Sequence, residues 1–171
     1  ERVARKKRGE EVPFLDLAAQ NTPLLEDIQA RWAPILETNA FILGPAVSGF
    51  EEEFASFCEA SRAVGVNSGT TALQLMLAAC GVGPGDEVIT VPNTFIATTE
   101  AIAAVGAVPV LVDVDPQTWL MDCDLVEAKI SERTRALLPV HLYGHCCDLD
   151  RLRGIANKHG LLLLEDAAQA H

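Results

Sequence analysis

A chain of 171 residues, 49% apolar but only 5% aromatic, carries 24 acidic against 13 basic side chains for a formal charge of −11. That balance excludes nucleic acid as the main partner, because a phosphate backbone demands basic surface. The length is that of one domain, able to bury roughly 70% of its unfolded surface.

In chain order, the basic run Arg2, Arg5, Lys6, Lys7 and Arg8 is expected to be a disordered, solvated tail over residues 1–11. No signal-peptide core follows it, and no apolar run approaches the ~18 residues of a membrane span. Five cysteines (Cys58, Cys80, Cys123, Cys146 and Cys147) form an odd set without a CxxC pair, so neither a disulfide scaffold nor a metal site is expected. Free thiols and a cytoplasmic location follow as expectations. Glu rather than Met at position 1 reads as a piece of a longer chain.

Residues 12–62 are expected to form an N-terminal helical segment. Thr22 is expected to cap a helix with Pro23 at its first position and an apolar stripe of Leu24, Leu25, Ile28, Trp32, Ile35 and Leu36. Pro34 is expected to kink that helix or end it early. Ser48 with Glu51 has the spacing of a capping box, opening a helix with Phe50, Phe54 and Phe57 on one face.

Residues 63–171 have the rhythm of an α/β domain. Strands are expected at 63–66, 87–90, 108–112, 136–142 and 161–164, and helices at 70–80, 95–105, 122–131 and 148–159. Alternating strands and helices imply βαβ crossovers, hence a three-layer α/β/α sandwich on a mostly parallel sheet.

Three stretches at strand ends carry candidate chemistry. Asn67-Ser68-Gly69-Thr70-Thr71 follows a strand and opens a helix, where free N–H groups favour an anion such as phosphate. An ordinary Ser/Thr cap explains the same residues without a ligand. The missing GxGxxG and Walker lysine speak against dinucleotides and triphosphates. Phe95 in Pro92-Asn93-Thr94-Phe95 offers a ring for stacking on a planar group, or a core residue starting a helix. Asp166, with Gln169 three residues on, ends an apolar strand; it suits a cationic heterocycle, or a helix cap. A carboxylate beside a pyridine nitrogen keeps that nitrogen protonated, the electronic setting that pyridoxal 5'-phosphate exploits. Glu165 is expected to point to the opposite side. His141 reads as a hydrogen-bonded structural group, and Asp113 and Asp115 as turn caps before Pro116.

Taken together, Phe41-Ile42-Leu43-Gly44-Pro45, Ser68-Gly69-Thr70-Thr71-Ala72-Leu73, Gly83-Pro84-Gly85-Asp86-Glu87-Val88-Ile89, Asn93-Thr94-Phe95-Ile96-Ala97-Thr98, Pro139-Val140-His141-Leu142-Tyr143-Gly144 and Glu165-Asp166-Ala167-Ala168-Gln169-Ala170-His171 resemble the N-terminal half of the DegT/DnrJ/EryC1/StrS sugar aminotransferases. The resemblance implies the large domain of a fold-type I pyridoxal phosphate enzyme, truncated at its C-terminus. It implies that Gly69, Thr70 and Thr71 bind the cofactor phosphate, that Phe95 stacks on its ring, that Asp166 pairs with the ring nitrogen and that Gln169 bonds near the phenolic oxygen.

The implied activity moves an amino group from glutamate or glutamine to a keto-sugar, commonly nucleotide-linked, or to a cyclitol, in a homodimer. The family's Schiff-base lysine lies beyond the Asp-x-x-Gln motif. Lys6, Lys7, Lys129 and Lys158 fall outside the site motifs, so these 171 residues alone are expected to be inactive. Two alternatives remain at this point: a dehydratase of the same family with histidine in place of lysine, and a non-catalytic regulatory or binding homologue.

Overall fold

The structure, a computed structural model, describes residues 12–170; the basic tail and His171 lie outside them. The chain divides into two compact units, which meet between Gly65 and Val66.

In the first unit helix α1 spans Leu17–Asn21, with the Asp16 side chain accepting from the Ala19 N–H at 3.0 Å. A 3-10 turn over Thr22–Leu24 leads into α2, Leu25–Thr38. The cap expected at Thr22 is therefore at Asp16, one short helix earlier. Pro34 does not end α2. It sits in the helix interior, and the helix runs on to Asn39, whose left-handed backbone (φ +53°) terminates it.

Helix α3 spans Pro45–Phe57, and here the expected Ser48–Glu51 capping box does not form. Pro45 starts the helix at its first position, where its fixed φ is already helical and its missing N–H costs nothing. Ser48 is left inside the helix, and Glu51 accepts the Gly65 N–H at 2.7 Å instead. Gly44 precedes it because a Cβ there would lie 2.7 Å from the Ala40 carbonyl oxygen. Phe50, Phe54 and Phe57 do share a face: the ring centroids are 5.4 Å apart for the first pair and 6.3 Å for the second.

The second unit is an α/β domain. The strand expected at 63–66 is absent; these residues have no regular secondary structure and pair with no strand among the described residues, and Val64 is 79% exposed. A strand is defined by its ladder, and here the apolar pattern exists without one. The four strands that form are β1 (Glu87–Thr90), β2 (Val108–Leu111), β3 (Thr134–Leu137) and β4 (Leu162–Leu163). They lie in the order β2-β1-β3-β4, all parallel.

Helix α4 (Gly69–Ala79) precedes β1, α5 (Ala97–Ala104) joins β1 to β2, α6 (Cys123–Val126) lies between β2 and β3, and α7 (Leu149–His159) joins β3 to β4. The helix expected over 122–131 shortens to α6 plus a 3-10 turn. Pro139, with no N–H to donate, interrupts the long strand expected at 136–142. The ladder resumes once beyond it, as a parallel bridge between Val140 and Asp166.

Side-chain alternation along the strands builds two cores, one on each face of the sheet. Val88, Ala136 and Leu138 pack with Leu73 and Leu77 of α4 and Ala101 and Ile102 of α5. Ile89 and Leu137 pack with Val126 of α6 and Leu152 and Ala156 of α7. Both faces are covered, which gives the expected α/β class with flanking helices. Strand order also matters for function. From β1 the chain steps outward to β2, then crosses back to β3 on the other side. The carboxyl ends of β1 and β3 thus flank a topological switch point, where open α/β sheets bind their ligands.

Candidate functional site

At that edge lies a cleft of about 170 Å³ lined by Gly69, Thr70, Thr94, Phe95, Asp166 and Gln169, with Leu73, Ala97, Val140 and Ala168 as its apolar wall. Five of the six residues singled out in the sequence therefore line one cavity. The sixth, Thr71, does not line it. A space this small suits one ring-sized group and is well below the pockets that enclose large ligands.

The phosphate-like end is the start of α4. Ser68 caps it, with its hydroxyl oxygen accepting the Thr71 N–H at 3.1 Å while its own proton goes to Thr71 Oγ1 at 3.0 Å. Thr71 is thus engaged within the cap, and the Ala72 N–H bonds the Ser68 carbonyl at 2.9 Å. Gly69 and Thr70 supply the first-turn N–H groups that an α-helix leaves without internal acceptors. A Cβ built on Gly69 would meet nothing within 4 Å, so no packing contact accounts for the glycine, and the space beside the helix start is open.

Phe95 lies between β1 and α5 with 71% of its surface exposed. The ring thus presents an apolar face at the cleft. Asp166 faces it from the end of β4, only 8% exposed. Its backbone is pinned by the Asp166 N–H to the Pro139 carbonyl at 3.0 Å and the His141 N–H to the Asp166 carbonyl at 3.1 Å. Its Oδ2 accepts the Thr98 hydroxyl at 2.8 Å, and Oδ1 the Ala168 N–H at 3.3 Å. Those two bonds occupy about half of the roughly four acceptor positions of a carboxylate.

Glu165 turns away from the cleft to His141, 3.0 Å from its Nε2. The buried His141 ring accepts the Cys147 N–H on Nδ1 at 3.1 Å, so Nε2 is the nitrogen that donates to Glu165. His141 is thereby tied at both nitrogens and braces the strand end from beneath. The Cys147 thiol donates to the Val140 carbonyl at 3.3 Å, and burial pushes it up from the usual thiol range, as it does Cys123. Asp113 and Asp115 lie outside the cleft; Asp115 caps the turn at 116–118 as expected, whereas the Asp113 side chain accepts, among the described residues, only the adjacent Val114 N–H at 2.8 Å. Asp115 accepts the Thr118 and Gln117 N–H groups, which hold it below the usual carboxylate range.

Gln169 forms the outer wall. Its Oε1 accepts the Tyr143 N–H at 2.5 Å, and this leaves the side-chain NH₂ as the group able to donate to a ligand. Tyr143 and Gly144 reach it through left-handed backbone (φ +54° and +83°), an arrangement that Gly144 takes without strain and Tyr143 does not.

Two residues of the site had no separate signal in the sequence. Thr98 and Thr94 are polar residues near the start of an apolar helix, and only the fold shows that Thr98 bonds a carboxylate 68 positions away and that Thr94 bonds Thr98 in turn. Among the described residues no cluster of metal-ligating side chains is present, and no helix is long and apolar enough to cross a membrane.

Comparison with known proteins follows the same lines. The family model for the DegT/DnrJ/EryC1/StrS aminotransferase family matches residues 24–171. The dTDP-3-amino-3,4,6-trideoxy-alpha-D-glucose transaminase of Streptomyces venezuelae is 53% identical over 94% of this chain and 42% of its own length. The UDP-2-acetamido-2-deoxy-3-oxo-D-glucuronate aminotransferase of Pseudomonas aeruginosa is 45% identical over 93% of this chain and 44% of its own. Among solved structures, ntda from Bacillus subtilis with bound cofactor PMP superposes with a TM-score of 0.90 at 38% identity, covering 96% of this chain and 39% of that one. The chain spans less than half the length of the relatives it matches.

Proposed function

The chain belongs to the DegT/DnrJ/EryC1/StrS aminotransferase family, and we propose that the complete protein is a pyridoxal phosphate-dependent aminotransferase that aminates a nucleotide-linked keto-sugar. The observation that carries this reading is the single cleft that gathers Gly69, Thr70, Phe95, Asp166 and Gln169 at the switch point of the sheet.

These residues fit the cofactor by their chemistry. The helix start with its open space at Gly69 suits a phosphate, the exposed Phe95 ring a planar face, and the buried Asp166 carboxylate a protonated ring nitrogen. When bound, pyridoxal phosphate supplies an electron sink that makes a carbon–hydrogen bond beside an amine breakable.

In this reading Gly69 and Thr70 anchor the phosphate through backbone N–H groups, while Thr71 serves the helix cap rather than the ligand. Phe95 fixes the ring plane and keeps water from one face. Asp166 holds a proton on the ring nitrogen, and the Gln169 amide donates near the phenolic oxygen. Proton transfer at the reacting carbon falls to a lysine that the family carries beyond the Asp-x-x-Gln motif. The net exchange balances: the donor amino acid gives up NH₂ and H and gains the carbonyl oxygen that the sugar loses.

The two relatives described above carry names that place an amino or oxo group at sugar carbon 3. We therefore assign the acceptor as a 3-keto sugar on a nucleoside diphosphate, with glutamate or glutamine as donor. The complete protein is proposed to act as a homodimer in the cytoplasm, where such donors and nucleotide sugars are made. The five free cysteines support the reducing compartment.

The test is a half-reaction. The complete gene product, loaded with pyridoxal phosphate, should convert L-glutamate to 2-oxoglutarate in an amount equal to the enzyme, with a matching change in the cofactor absorbance. It should turn over repeatedly only when a 3-keto nucleotide sugar is added. Loaded protein that leaves both glutamate and glutamine unchanged would remove the assignment.

A further inference from the structure

Asp166 is held by a hydrogen-bond chain whose direction can be worked out. Thr98, fully buried in the first half of α5, donates its hydroxyl proton to Asp166 Oδ2. Thr94 Oγ1 lies 2.9 Å from the same Thr98 oxygen and lines the cleft. A hydroxyl has one proton to give. Thr98 gives its proton to the carboxylate, so Thr94 must be the donor in the Thr94–Thr98 pair. The chain therefore runs from Thr94 through Thr98 to Asp166, and Thr94 presents only acceptor lone pairs to the cleft.

No packing demand accounts for a hydroxyl at position 98. Its neighbours Ala97, Ala101 and Ile102 are buried and apolar, and valine has the same branched shape. A threonine inside a helix commonly turns its hydroxyl back to a carbonyl of the preceding turn. Thr99 does so, donating to the Ile96 carbonyl at 3.0 Å, whereas Thr98 bonds a side chain from a different element.

With Oδ2 held by Thr98 and Oδ1 by the Ala168 N–H, the carboxylate is restrained on both oxygens and cannot swing freely about its own bond. We propose that Thr98 is a positioning residue of the cofactor site, fixing the plane in which Asp166 meets the ring nitrogen. The proposal rests on the functional reading above.

The test is a titration of the complete gene product with pyridoxal phosphate, followed by absorbance, together with the pH dependence of the bound ring's absorbance band. Thr98→Val should weaken binding about 10-fold, the scale of a lost hydrogen bond to a charged group, and should move the pH midpoint of the band. Thr98→Ser should restore both. In an Asp166→Ala background, Thr98→Val should add no further loss, because its target is gone. Melting temperatures measured without cofactor separate folding from binding, and Thr98→Ala takes the place of Thr98→Val if the valine variant does not fold.

Native-like affinity and band in Thr98→Val overturn the proposal and leave the functional reading standing. An equal loss with and without Asp166 does the same. Native protein that binds no cofactor, or Asp166→Ala that binds as the native protein does, overturns both together.

Discussion

The two edges of the sheet solve the same problem, a buried carboxylate, in opposite ways. At the amino edge Glu87, at the start of β1, is enclosed by the protein's own donors: the Ser131 hydroxyl at 2.5 Å and the Arg133 guanidinium, whose Nε lies at 2.9 Å. Those bonds, the hydroxyl foremost, hold Glu87 below the usual glutamate range. At the carboxyl edge Asp166 receives a single hydroxyl and one backbone N–H, meets no cation among the described residues and faces a cleft. The first network is closed and serves stability. The second is left incomplete by the protein, and that incompleteness is what a ligand with a positive ring nitrogen would fill. Each edge can be disturbed without the other, so the contrast is open to test.

The largest effect should come from the strand that joins the two edges. Leu137 in β3 is fully buried in the core beneath α7. Truncation of a leucine in such a place removes its transfer energy and leaves a cavity, so Leu137→Ala should destabilise the complete protein by about 2–5 kcal/mol in chemical denaturation. It should also weaken cofactor binding by loosening the strand end at Val140.

Next comes Asp166→Ala, which separates the edges. It removes the proposed partner of the ring nitrogen, and pyridoxal phosphate affinity should fall about 100-fold or more by absorbance titration, the range for breaking a buried charged contact. The melting temperature without ligand should change little, because Asp166 has few bonds to lose. A large drop in melting temperature with unchanged affinity would make Asp166 a structural cap and erase the contrast.

Glu87→Gln probes the amino edge and should do the reverse, leaving cofactor affinity untouched. The folded state holds Glu87 below its unfolded range, so its contribution to stability is present above the ordinary carboxylate titration and is lost as pH falls through the lowered folded value. In the native protein, acid should therefore erode stability below about pH 4. The glutamine variant, with no proton to gain, should show a flatter acid limb in melting temperature against pH. Superimposable acid limbs for the two proteins would count against that role.

These tests also mark where sequence reasoning was sufficient. The elements built on local chemistry were legible: α4 behind Ser68, β1 at Glu87–Thr90, and α7 between its Asp148 cap and Gly160. Three cavity-lining residues of the helix start and the strand end, Gly69, Thr70 and Asp166, were legible for the same reason, because turn residues and apolar runs locate strand ends. Misreadings arose where two local signals competed or where a partner was needed. Pro45 outcompeted Ser48 as a helix start, and residues 63–66 have a strand's composition without a strand's neighbour. Thr98 stands within the 93–98 stretch, but its role was not legible there because its partner lies 68 positions away. Strand order, and hence the switch point itself, is likewise a property of pairing rather than of any one segment.

The finest probe of the comparison is Gly69→Ala at the start of α4. A Cβ there meets no protein atom within 4 Å, and the φ of Gly69 is not in the left-handed region, so alanine should fold without strain. Alanine is also the better helix former, and stability should hold or rise by up to about 1 kcal/mol. The methyl group would instead occupy the space beside the free N–H groups, where a phosphate would come to rest. Cofactor affinity should therefore drop a few-fold while the melting temperature of the free protein holds or rises. That opposite movement distinguishes a helix start kept open for a ligand from one that is merely capped. If affinity and stability both held steady, the anchor would have to be placed on other groups of the cleft, and the open space at Gly69 would carry no weight for the carboxyl edge.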